Sequence, residues 1–147
     1  MSQTLPGAPH DPLAAIRARC ENNLYWRYLG VSVEDAKPGW VRLRVDVRDE
    51  LRNAVGAPVH GGVMSALVDM AVGGALGTLS DAAAGGVNQS TLDLNVSFLA
   101  AASAGPIFAE GKILRRGRTI AFGEASVTDA GGRLCAVGRA TYMIISR

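Results

Sequence analysis

Two features of this 147-residue chain could do chemistry: the run His60-Gly61-Gly62, and Asp69 a little further on. Glycine costs a helix roughly 1 kcal/mol relative to alanine, so two in succession at the start of an apolar helical run ask for a reason. A helix N-terminus presents free backbone N–H groups and a partial positive charge, and the absence of side chains lets a carbonyl oxygen approach. That is what an oxyanion hole needs. Close packing or a tight turn is the purely structural alternative. Asp69 stands among Leu67, Val68, Met70, Ala71 and Val72, where an unpaired buried carboxylate would be costly. Ser65, four residues earlier on the same helical face, could hydrogen-bond to it. The alternatives to a chemical role for Asp69 are a structural acid satisfied by its neighbours and a narrow solvent-facing polar stripe.

At 1.5 Å rise per residue, Asp69 lies on the order of 10 Å along the helix from Gly62. One chain therefore does not easily bring both to the same reacting atom. If both act on one substrate, Asp69 reaches the Gly61/Gly62 end of a second subunit's helix across a two-fold axis, giving two sites per dimer.

The elements that must position these residues can be read along the chain. Residues 1–11 form a lead-in with no basic start followed by an apolar run, unlike a secretory signal; His10 falls there and is assigned nothing. Residues 12–147 then make one domain. Pro12 to about Arg27 predicts a first helix ended by Gly30. Trp40 to Val47 alternates Val41, Leu43, Val45 and Val47 with Arg42, Arg44 and Asp46, as a half-buried strand does. Arg48 to Val59 reads as an irregular loop. Gly61 to Leu79 is apolar on nearly every face, the mark of a helix surrounded by protein.

Thr91 to Phe98 alternates again, with Leu92, Leu94, Val96 and Phe98 on one face. Gly105-Pro106 is a turn, and Ile107–Leu114, Thr119–Thr128 and Leu134–Ile145 follow as strands, broken at Arg115 to Arg118 and Asp129 to Gly132. Consecutive strands joined by tight turns imply an antiparallel sheet. A helix apolar all round needs something to wrap it, which a strongly curved sheet can do.

From Asn53 to Gly111 the chain has no Lys or Arg and only four acids, Asp69, Asp81, Asp93 and Glu110. Asp81 reads as a turn residue, and Asp93 and Glu110 as strand-surface charges, which leaves Asp69 unexplained. With a net charge of +2 and 48% hydrophobic residues, neither a disordered chain nor a nucleic-acid binder driven by bulk charge is expected. A carboxylate in the middle of Gly61–Leu79 would cost about 2.5–3.5 kcal/mol at a bilayer centre, which argues against a membrane span. Cys20 and Cys135 match no ligand spacing and read as reduced thiols of a cytoplasmic protein. His60 has no Cys/His/Asp cluster around it, so no metal site is expected, and its ring reads as packing or capping the helix.

The run from Asn53 through His60-Gly61-Gly62 to Asp69, followed by Ser90 to Phe98 and the Gly-Arg-Thr at 117–119, resembles the hotdog-fold acyl-CoA thioesterases of the phenylacetate-pathway type. The resemblance covers about Tyr25 to the C-terminus. It implies an α+β hotdog fold: a curved antiparallel β-sheet wrapped around a long central helix, paired into homodimers and often into a dimer of dimers. In such enzymes the N–H after the His polarises the thioester carbonyl, here Gly61, with His60 and Gly62 beside it. The helix acid, here Asp69, comes from the other subunit as general base or nucleophile. A hydroxyl on the next strand positions water in some members, here Thr91 with Ser90 as neighbour.

An Asn in the preceding loop often binds near the carbonyl, here Asn53. The family's usual spacing is Asn-x-x-Gly-x-x-His, whereas the loop in this chain is one residue longer. The basic segment reads either as a solvated turn or, by the resemblance, as guanidinium groups of Arg115, Arg116 and Arg118 for the phosphates of coenzyme A; it has no interleaved aromatics for base stacking. No cofactor is implied, because coenzyme A is part of the substrate. Two other readings on the same fold are a non-catalytic acyl-CoA sensing module, which would need no base, and an enoyl-CoA hydratase, whose Asp/His pair lies in a different motif. Val63, Met64, Leu67, Tyr25, Trp26 and Phe98 are candidate acyl-pocket residues.

Overall fold

The computed structural model describes residues 11–79 and 88–145. His10, most of the lead-in and the expected turn residue Asp81 lie outside them.

The N-terminal helical region is two helices where one was expected. Helix α1, Pro12–Asn22, starts on an Asp11 cap that accepts from the Ala14 N–H at 3.1 Å. Asn23 then turns extended, and its side chain accepts from the N–H groups of Tyr25 and Trp26, both at 3.1 Å, opening α2, Leu24–Leu29. Asparagine side chains compete with the helical backbone in this way, so a run of good helix formers is cut where one can cap. Gly30, at φ 76°, closes α2.

Strand β1, Val31–Lys37, is an addition to the expected elements. It pairs through the Pro38-Gly39 turn with β2, Trp40–Asp46, whose Val41, Leu43 and Val45 are fully buried. On the other face of β2, Arg42 bridges Glu110 at 2.6 Å and Glu34 at 3.1 Å, and Arg44 pairs with Asp46 at 2.9 Å. The expected loop before the long helix contains a single turn of 3₁₀ helix, Asp49–Leu51.

Helix α3, Gly61–Gly77, is the central element and ends two residues before the expected Leu79. Strands β3 (Asn88–Phe98), β4 (Pro106–Arg116), β5 (Ile120–Thr128) and β6 (Leu134–Ile145) complete one six-stranded sheet in the order β1-β2-β4-β5-β6-β3, antiparallel throughout and not closed into a barrel. This is the expected α+β hotdog architecture. Among the described residues no helix is long and apolar enough to cross a membrane.

Two expectations about β3 need correcting. It does not turn back onto β4 but pairs with β6 at the far edge of the sheet, because residues 99–105 carry the chain from that edge past the start of β6 to β4 in the middle of the sheet. That crossing is tied down by the Leu99 N–H to the Cys135 carbonyl and by the Val59 N–H to the Ala102 carbonyl, both at 2.8 Å. The clean alternation of β3 is interrupted by an irregularity between Thr91 and Asp93, and Leu92, Leu94 and Phe98 are exposed instead of buried. An unpaired apolar edge of this kind is a template for a further strand.

The sheet packs onto α3 through glycines. A Cβ on Gly111 would overlap the Ala71 carbonyl, one on Gly123 would stand 2.5 Å from Val72 Cγ1, and one on Gly138 would stand 2.9 Å from Val68 Cγ1. Backbone of three adjacent strands therefore lies directly against the helix. Gly111→Ala should cost about 1–3 kcal/mol by forcing that contact apart, read as a lowered urea midpoint with an unchanged slope.

Candidate active site

Asp69 sits half-buried at the midpoint of α3 with its carboxylate held by two hydroxyls. Thr91 Oγ1 donates to Asp69 Oδ1 at 2.8 Å, and the Tyr142 hydroxyl donates to the same oxygen at 2.6 Å while lying 2.7 Å from the Asp69 carbonyl oxygen. Two rows of the sheet make this possible, since Thr91 on β3 pairs directly with Tyr142 on β6. The expected Ser65 contact is not what holds Asp69. Both donors use Oδ1, and among the described residues nothing reaches Oδ2. That oxygen is left to act on a water or on a carbonyl carbon.

Tyr142 was not a sequence candidate. Its ring is buried, and its hydroxyl fits because position 73 is glycine; a Cβ there would lie 2.7 Å from the Tyr142 oxygen. Burial first, and then the neighbouring Asp69 carboxylate, push the Tyr142 pKa far above its ordinary value. The phenol is thus a fixed proton donor to Asp69 throughout the range in which the enzyme would work.

At the other end of α3, His60 caps the helix, as its position suggests. Its Nδ1 accepts from the Gly62 N–H at 2.8 Å. The Gly62 donor is thereby occupied, whereas the Gly61 N–H has no acceptor among the described residues. Of the two glycines, Gly61 is the one able to meet an incoming oxyanion. The Phe98 ring lies over it, 3.3 Å from where a Cβ would be. Gly61 and Asp69 belong to the same unbroken helix, which keeps them about 12 Å apart along its axis.

The remaining candidates fall into two groups. Thr91 joins the acid, while Ser90, its neighbour along β3, alternates to the opposite face and is exposed. Asn53 lies exposed in the loop before α3, its N–H bonded to the Pro58 carbonyl at 3.0 Å. Arg115, Arg116 and Arg118 are exposed at the end of β4 and in the turn after it. Arg116 shares a transverse row with Ala121, Tyr142 and Thr91, so the basic end of β4 is three strand spacings, roughly 14 Å, from the acid. Tyr25 and Trp26 line a cavity of about 330 Å³ with Asp69, Thr91 and Tyr142, whereas Val63, Met64 and Leu67 are core.

Comparison with known proteins decides the family. Residues 58–136 match the family model described as "Thioesterase superfamily". The chain belongs to the thioesterase superfamily. A Halobacterium salinarum protein that carries a provisional esterase name is 34% identical over 142 residues, covering 91% of this chain and 93% of its own. A solved thioesterase-superfamily protein superposes with a TM-score of 0.81 at 31% identity, over 91% of this chain and 98% of its own. Escherichia coli PaaI, from the phenylacetic acid degradation operon, shares the fold at a TM-score of 0.82 and 18% identity, over 95% and 97% of the two chains. Membership makes the chain a hydrolase of thioesters or esters.

Because the folded protein retains the Tyr142 proton where the unfolded chain loses it near pH 10, the Tyr142 contribution to stability is complete below that pH and falls as pH rises beyond it. Tyr142→Phe should flatten this alkaline loss in urea titrations run across pH, and near neutrality should cost about 1.5–3 kcal/mol for the hydrogen bond to a charged group.

Proposed function

We propose that this protein hydrolyses an acyl-CoA thioester to a free acid and coenzyme A at a site shared between two subunits. The observation that carries the reading is the pairing of a carboxylate fixed through one oxygen only, Asp69, with an unoccupied N–H at a helix N-terminus, Gly61. In the reaction the Gly61 N–H takes the developing negative charge on the carbonyl oxygen. Asp69 Oδ2 either removes a proton from the attacking water, a proton that passes to the thiolate as the C–S bond breaks, or attacks the carbonyl carbon itself and expels the thiolate. In the second case the mixed anhydride so formed is hydrolysed by water, which restores the carboxylate, releases the free acid and supplies the thiolate's proton. Thr91 and Tyr142 hold the carboxylate in place through Oδ1. His60 fixes the helix terminus, and Arg115, Arg116 and Arg118 take the coenzyme A phosphates. No further cofactor enters the reaction. With both cysteines unpaired, the protein suits the reducing cytoplasm.

The dimer reading is supported by the β3 edge. Antiparallel pairing of β3 with its copy about a two-fold axis near Leu94 sets Thr91 of one subunit beside Phe98 of the other. Thr91 contacts Asp69 and Phe98 contacts Gly61, so this pairing carries each acid toward the partner subunit's Gly61. The same continuous sheet can stack into a dimer of dimers.

Asp69→Asn should lower turnover about 10²-fold or more in a thiol-release assay with acyl-CoA substrates; near-normal turnover would reject its role. Single turnover in heavy-oxygen water separates the two roles of Asp69, since label enters its carboxylate only if it is the nucleophile.

Subunit sharing has its own test. Gly61→Pro removes the N–H at a helix position that tolerates proline, and the extended His60 before it, at φ −60° and ψ 134°, suits a following proline. Refolding the inactive Asp69→Asn and Gly61→Pro chains together should restore about a quarter of wild-type activity, because half the dimers are mixed and each carries one intact site. No recovery would place both groups in one chain.

A further inference from the structure

The cavity beside Asp69 contains two polar atoms that the hydrolytic reaction leaves unused. Arg19 Nη1 and Gln89 Oε1 are both buried without a hydrogen-bond partner, and both residues line the same cavity as Asp69, Thr91 and Tyr142. We propose that Arg19 binds a carboxylate at the far end of the acyl group, so that the protein selects the monothioesters of dicarboxylic acids. This rests on the acyl-CoA reading above and specifies its substrate.

The argument begins with the helix. Asp69, Gly73 and Gly77 follow one another at four-residue spacing on one face of α3. The missing side chains are filled from elsewhere: at Gly73 by the Tyr142 hydroxyl and Gln89, and at Gly77 by the Arg19 guanidinium, which a Cβ there would overlap. Asp69 and Gly77, against which the guanidinium packs, are two helical turns apart, about 12 Å, and Asp69 and Arg19 line the same cavity. Ile16, Trp26, Ala66 and Met70 supply its apolar walls, suited to a methylene chain.

Arg19 differs from the protein's surface arginines. Arg42 and Arg44 hold acids at 2.6 and 2.9 Å, and Arg115, Arg116 and Arg118 are exposed to solvent, whereas Arg19 has neither an ion pair among the described residues nor solvent at Nη1. Burial pushes its pKa down, offset in part by Tyr142. A guanidinium with a buried, unpartnered donor is costly unless an anion meets it, and a carboxylate matches its fork. Gln89 is oriented by donating Nε2 to the Gly73 carbonyl at 2.8 Å, which leaves Oε1 as an acceptor. A water entering with the carboxylate can donate one hydrogen to each.

The test compares kcat/KM for adipyl-CoA, hexanoyl-CoA and 6-hydroxyhexanoyl-CoA in wild type, Arg19→Met and Arg19→Lys. Each ratio between substrates is independent of how much of a variant folds. The wild type should favour adipyl-CoA over both neutral substrates by at least tenfold, Arg19→Met should bring the ratio near one, and Arg19→Lys should restore part of it. Equal activity on adipyl and hexanoyl thioesters in the wild type, a preference for the hydroxyl, or an adipyl preference that survives Arg19→Met would each overturn the proposal. So would an equal loss on all three substrates in Arg19→Met, which would assign Arg19 to the coenzyme A moiety or to the fold. If no thioester is hydrolysed, the catalytic reading fails and free adipate still tests the anion site. A Tm raised by adipate in the wild type and not in Arg19→Met supports the site, and no rise overturns it.

Discussion

Helix α3 carries one charged residue in seventeen, so nearly every direction off its axis has to meet apolar surface. A flat sheet covers one side of a helix; a strongly twisted six-stranded sheet covers more, and here it comes close enough for strand backbone to touch helix backbone at Gly111. The cost of glycine in three adjacent strands is offset by removing the gap that side chains would leave. The face bearing Asp69 and Gly73 is covered more loosely. There α1, α2, Gln89 and Thr91 on the edge strand β3, and Tyr142 on β6 surround the helix and leave a cavity. The site is therefore the part of the helix surface where the end of the sheet and the N-terminal helices meet without closing.

An acid on that face has to be made affordable without being neutralised by a cation. Two hydroxyl donors on one carboxylate oxygen contribute about 1.5–3 kcal/mol each, which offsets the several kcal/mol of partial desolvation. An arginine would have done so too, but its fork would have engaged both oxygens in a bidentate pair. Tyr142 keeps its proton because burial and Asp69 both oppose the phenolate. Donor and acceptor each stabilise the other in its working state, and Asp69 keeps a reactive oxygen.

Much of this was legible in the chain. The apolar run with a single acid marked both the central helix and Asp69, and the glycines after His60 marked its N-terminus. Local alternation marked β2 and β3, and turn signals between β-prone runs marked β4, β5 and β6. What was hidden depends on contacts distant in sequence. Tyr142, Gln89 and Arg19 meet the helix only because β3 pairs with β6 and α1 folds back over Gly77, and no local pattern encodes either. Strand β1 was missed although Val31 and Val33 alternate with Ser32 and Glu34, because its second half, Asp35–Lys37, is polar and shifts register. The burial of β3 was misread for a deeper reason: its alternation fits a strand with a covered face, and within one chain that face is covered only at Val96 and in part at Phe98, leaving Leu92 and Leu94 exposed.

The exposed face of β3 and the length of α3 bear on the same question. An α-helix is stiff, so Gly61 and Asp69 stay about 12 Å apart whatever the rest of the chain does. A thioester carbonyl needs its oxyanion donor at hydrogen-bond distance and its base or nucleophile at contact distance. Within a single chain this requires a break in α3, and α3 is continuous from Gly61 to Gly77. Strand β3 touches the helix face at both places, through Thr91 at the acid and Phe98 at the glycine. In the proposed dimer, a two-fold axis through the middle of that strand would exchange these two places between copies. The unpaired hydrogen-bonding edge, the exposed leucines and the separation of the two proposed catalytic groups would then be three consequences of one arrangement, in which assembly and catalysis draw on the same strand.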